Sequence, residues 1–95
     1  MKKEERLNLY KEAINKWGKD AQVNMLYEEC GELITAVSQF KRGRVGYLDV
    51  MTELADVSIM IEQLAAMINY EDYEAEKDRK LTRLKERLER HGNNS

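Results

Sequence analysis

Apolar residues return every three or four positions along most of this chain, and the polar interruptions between these runs are short. Leu7, Tyr10, Ile14 and Trp17 keep helical spacing and predict a first helix over residues 3–17. Gly18 reads as its stop and Asp20 as the N-cap of the next helix. Val23, Leu26, Cys30, Leu33, Val37 and Phe40 form the stripe of a second helix, over residues 20–42. The run from Lys41 to Gly46 carries two glycines and breaks the pattern. Val50, Leu54, Val57, Ile61, Leu64 and Ile68 then predict a third helix over 47–68. After a break at 69–72, Tyr70, Tyr73, Leu81, Leu84 and Leu88 share one face of a fourth helix that reaches about Arg90, and a polar tail follows from about His91.

These elements make an all-α chain, and residues 1–95 form a single domain. The short turn at 41–46 sets the second and third helices antiparallel, as a central hairpin. A domain of this length buries only about 60–65% of the surface of its unfolded chain, so self-association is a direct way to enlarge its core.

The carboxylates of that hairpin face the wrong way for a simple bundle. Glu29 and Glu32 lie about 60° apart on one flank of the second helix, and Glu53 and Asp56 lie so on the third. Glu29 and Glu53 fall within the apolar arcs, Glu32 and Asp56 at their edges. Glu32 precedes Arg44 by twelve residues and Asp56 follows it by twelve. Both therefore stand about 18 Å from the turn and meet across one seam. Buried carboxylates without compensation are costly, and four at one height repel one another. A divalent cation resolves both problems, and hard oxygen donors suit Mg²⁺ or Mn²⁺. The competing reading is a solvated charge pattern, since glutamate is common on exposed helices. The lone His91, in the tail, offers no zinc set.

Composition adds exclusions. A net charge of −2 gives no support to a nucleic-acid polymer or a membrane surface as partner. The start of the chain has no signal peptide and no apolar run approaches about 18 residues, so the cytoplasm is the expected compartment. The single cysteine excludes an internal disulfide, and its place on the stripe reads as a buried thiol. Trp17 continues its stripe and reads as a core or interface residue rather than a base-stacking platform. Gln22 projects toward the apolar arc, as a structural or a ligand-directed amide. Gly31 costs about 1 kcal/mol in a helix interior, which the close approach of a helix or ligand would explain, as would a chance solvent-facing position. The three cations at 41–44 either meet phosphates or complement a helix C-terminus. Lys77 shares the face of Leu81 and Leu84, and either snorkels or reaches a phosphate, with Lys80 and Arg83 flanking the stripe.

Glu28-Glu29-x-x-Glu32, followed about 20 residues later by Glu53-x-x-Asp56, resembles the signature of the MazG-like all-α nucleoside triphosphate pyrophosphohydrolases. Trp17-Gly18, Gln22, Met25, Leu33 and the Lys80-Leu81-x-Arg83-Leu84 run fit the same pattern, so the resemblance extends from about Trp17 to about Arg87. The family borders the dimeric dUTPases and the phosphoribosyl-ATP pyrophosphohydrolases. The resemblance implies a four-helix bundle that associates into a dimer or a dimer of dimers. It also implies Mg²⁺ held by Glu29, Glu32, Glu53 and Asp56, and a water activated or oriented by Glu28. The expected reaction cleaves a nucleoside triphosphate between its α and β phosphates, giving the monophosphate and pyrophosphate. Lys77, Lys80 and Arg83 are the expected phosphate contacts. Two other readings compete: a relative that binds nucleotide or metal without turnover, and a helical oligomerisation module.

Overall fold

The computed structural model describes residues 1–93, and the last two residues of the predicted polar tail lie outside that range. Four helices follow one another: α1 (Lys3–Trp17), α2 (Lys19–Lys41), α3 (Tyr47–Ile68) and α4 (Tyr70–Asn93). No strand occurs among the described residues, and no helix there is long and apolar enough to cross a membrane.

The joints are tighter than the sequence pattern implies. Gly18 alone links α1 to α2: its N–H closes α1 on the Ile14 carbonyl at 2.8 Å, and its carbonyl accepts from the Gln22 N–H at 3.2 Å. Its φ of 91° lies in the region that favours glycine. Gly18 is therefore the cap of α2 as well, and Asp20 lies inside the first turn, where its charge complements the helix dipole. Asn69 likewise separates α3 from α4. Its backbone is extended, and its side-chain Oδ1 accepts from the Asp72 N–H at 3.1 Å, so one asparagine replaces the predicted four-residue break. Between α2 and α3, Gly43 at φ 73° donates to the Phe40 carbonyl and Arg44 to that of Gln39, each at 2.9 Å. That is the Schellman arrangement, which satisfies the last carbonyls of α2.

The α2–α3 hairpin is the body of the molecule, and α1 packs on it mainly through α3. Tyr10 is the buried residue of α1; its hydroxyl donates to Glu62 Oε1 at 2.6 Å, and Arg6 donates to the same oxygen at 3.3 Å. Deeper in the seam, Gln22 Nε2 donates to Gln63 Oε1 at 2.7 Å, so the amide projecting into the apolar arc of α2 is held by another amide. Both glutamines are buried. On α4, Tyr70 is buried and Tyr73 half-buried, and Lys3 pairs with Glu74 across from α1. Beyond this point α4 carries Leu81, Leu84 and Leu88 exposed, so the predicted common face exists but its C-terminal half lacks cover within the chain.

The predicted stripe of α3 divides in two. Val50 and Val57 are buried and Leu64 half-buried, whereas Leu54, Ile61 and Ile68 are exposed. The inward line runs through Val50, Glu53, Val57, Met60 and Leu64. Trp17 is 60% exposed, at the rim of an apolar groove between α1 and α3 that also includes Leu9, Tyr10 and Ile59. Cys30 is half-buried rather than enclosed. No described side chain is less than 2% exposed, so the core of a single chain is thin.

Candidate metal centre

Glu29 comes from the third turn of α2, and Glu53 and Asp56 from the second and third turns of α3. Glu29 stands fifteen residues before Arg44, and Glu53 and Asp56 nine and twelve after it, so the three side chains come from neighbouring levels of the seam. Carboxylate oxygens of Glu29, Glu53 and Asp56 lie within 4.8 Å of one another, and all three residues are half-buried. Opposite oxygens on an octahedral Mg²⁺ stand about 4.2 Å apart, so small side-chain rotations close the triad around such an ion.

Glu29 Oε2 and Glu53 Oε2 are shut off from solvent and have no hydrogen-bond partner among the described residues. Burial raises both carboxyls above the usual glutamate range, and the neighbouring Glu32 and Asp56 carboxylates raise them further. Asp49 adds to the effect on Glu53. Orphaned carboxylate oxygens in a site furnished only with hard oxygen donors fit a divalent cation, which would satisfy them and lower both carboxyls.

The other predicted residues divide between two places. Glu32 is exposed beside the triad, close enough to act on both Glu29 and Glu53. Glu28 is exposed one residue before Glu29 and lines an open groove of about 650 Å³ with Glu32, Asp49 and Glu53. Gly31, Thr35 and Gln39 form the α2 wall of that groove. A side chain at Gly31 would meet open space, so the glycine is not required by packing within the chain. Three of the four carboxylates expected to converge, Glu29, Glu53 and Asp56, come together across the hairpin, and Glu32 stands outside that group.

The predicted phosphate contacts are elsewhere. Lys77 lies with its ammonium 6.0 Å from the Tyr73 ring centroid and lines a separate polar recess with Arg6, Glu62 and Glu74. Lys80 and Arg83 are exposed on α4 and do not line the acidic groove. The cations of the α2–α3 turn, Lys41, Arg42 and Arg44, are exposed at the closed end of the hairpin and are not among its lining residues either. Asp49 was not singled out by sequence pattern. It stands one turn before Glu53 on the same flank, and extending the acidic spacing backwards by four residues finds it. No protein-family profile, curated protein or solved structure matches this chain.

Proposed function

We propose that this chain is a metal-dependent nucleoside triphosphate pyrophosphohydrolase of the MazG-like kind, acting in the cytoplasm as a homodimer or homotetramer. The observation that carries the reading is the pair of solvent-shielded oxygens on Glu29 and Glu53, without a hydrogen-bond partner among the described residues, in two side chains whose carboxylates lie within 4.8 Å of each other and of that of Asp56. In this reading Glu29, Glu32, Glu53 and Asp56 hold Mg²⁺, with Mn²⁺ as a substitute. When bound, the ion supplies charge neutralisation to phosphate oxygens as an in-line displacement builds negative charge.

The remaining work falls to side chains of the chain itself. In this reading Glu28, exposed on the groove wall beside the triad, orients a water and accepts its proton as that water attacks the α phosphorus. The triphosphate, in the same reading, enters from solvent through that groove of about 650 Å³. The bond broken joins the α phosphorus to the bridging oxygen, so pyrophosphate leaves and the monophosphate keeps the oxygen of water. Lys77, Lys80 and Arg83 are proposed to screen the departing pyrophosphate. Because they do not line the groove of a single chain, a second reading is a metal-dependent nucleotide binder without turnover.

The experiment is pyrophosphate release by the purified protein across canonical and modified nucleoside triphosphates, with Mg²⁺ or Mn²⁺. Release that depends on the metal and disappears in Glu53→Gln supports the enzyme. Binding without release supports the second reading, and neither binding nor release overturns both.

A further inference from the structure

The fourth helix is anchored by its first turn. Tyr70 is buried and Tyr73 half-buried, whereas residues 74–92 are all exposed. The charge of α4 changes sign along this length. Residues 71–76 carry four carboxylates and no cation. Residues 77–91 carry seven lysines and arginines against three carboxylates, a local charge of +4 in a chain of net −2. The overall balance therefore hides a basic, amphipathic rod.

The apolar strip on this rod is narrow. Leu81, Leu84 and Leu88 step by three and then four residues and span about 60° of the helix surface. They are 54%, 49% and 65% exposed. A face built to pack on a globular core spans about 100° or more, and a helix lying in a lipid surface needs a broad apolar side. A nucleic acid meets cations through its phosphates and leaves leucines unburied. A strip this narrow is the seam of two paired helices.

The edges of the seam select the partner. Lys85 lies about 40° beyond Leu81 on one side, and Lys80 and Arg87 lie about 40° and 60° beyond Leu84 on the other. These are the flanking positions that set partner choice between paired helices. None of the three forms a salt bridge among the described residues. Asp78 is the acidic exception. A second copy set parallel would bring Lys80 against the partner's Lys85. Set antiparallel, it would bring Lys80 against the partner's Arg87, with Asp78 against the partner's Lys85 in partial compensation. A helix with acidic edges meets all three cations in either direction.

We infer that the exposed seam of α4 receives one helix of a different protein, with leucine along its own seam and glutamate or aspartate at both edges. The inference rests on α4 alone and is independent of what the acidic groove does.

The probe is a synthetic helix of about three heptads with leucine in its seam and glutamate at both edges, whose charge keeps it from pairing with itself. The same peptide with lysine at the edges is its control. Fluorescence anisotropy with the intact chain should show micromolar binding of the acidic peptide and weaker binding of the basic one. The affinity should fall about tenfold as salt rises from about 0.05 to about 0.5 M. Leu84→Glu should weaken binding about thirtyfold or more, as the loss of a central anchor, while circular dichroism stays helical. Lys85→Glu combined with Arg87→Glu should reverse the preference, so that the basic peptide binds better. Equal affinity for the two peptides overturns the inference, as does no binding of the acidic one. So does an unaltered affinity in Leu84→Glu. It also fails if Leu84→Glu lowers the sedimenting mass of the chain, which makes the occupant a second copy. Binding to phosphatidylserine vesicles and not to the peptide overturns it too, in favour of a lipid surface.

Discussion

Glu29 and Glu53 approach each other across the seam between α2 and α3, each with one oxygen shut off from solvent and without a hydrogen-bond partner among the described residues. Without an ion the pair opposes folding, because burial and neighbouring carboxylates both disfavour its charge. A divalent cation should therefore raise the melting temperature by an amount on the order of 10 °C when present at a hundredfold excess over its dissociation constant. Glu53→Gln should be at least as stable as the wild type without metal and should lose most of that increase. Scanning calorimetry with and without Mg²⁺ checks both halves.

Glu32→Gln and Asp56→Asn should remove turnover while leaving helix content intact, since both side chains stand at the edge of the seam rather than in its apolar part. Glu28→Gln should lower turnover by about 10²–10⁴-fold with little effect on the metal-dependent rise in melting temperature, as expected of a group that moves a proton and holds no ion. Measuring pyrophosphate release and metal affinity on the same preparations separates the two roles.

The helices and the height of the acidic pairs were legible in the sequence because both follow from spacing alone. Periodicity gives the direction of an apolar side chain but not what covers it. Leu54, Ile61 and Ile68 share the repeat of Val50, Val57 and Leu64, and only packing shows that the first three are left exposed. Leu81, Leu84 and Leu88 were equally regular and are uncovered. Gln22 carried a signal, a polar residue on an apolar arc, but its partner lies 41 residues away and no local pattern points to it. For the same reason, basic residues on the fourth helix could be recognised without their separation from the groove being visible.

The Gln22–Gln63 bond makes a stability prediction of its own. Gln22→Leu leaves the Gln63 amide buried without its donor and should cost about 1–3 kcal/mol. Gln63→Leu should behave alike, while the double variant should recover much of the loss, because two apolar side chains of similar size remove the unpaired group. A double-mutant cycle in urea measures the coupling.

Tyr10 sets a limit at high pH. Burial and then its bond to Glu62 push the phenol up to about 12 from an ordinary value of 10.0. A group whose folded value is raised contributes stability that is complete below the unfolded value and lost as pH rises through the folded one. Melting temperature should therefore fall between pH 10 and about 12 as this contribution is lost. Tyr10→Phe should show a shallower fall over the same interval, starting from lower stability at neutral pH.

The single-residue joint at Gly18 has a kinetic meaning. Two torsion angles and a modest contact surface govern where the first fifteen-residue helix lies, whereas the hairpin is held by the longest seam in the molecule. Amide protons of α1 should accordingly exchange with solvent well before those of the hairpin, through undocking of one rigid rod that leaves the rest standing. Such an excursion breaks the Tyr10–Glu62 bond and uncovers the level of Gln63, yet leaves the carboxylate triad two turns away as it was.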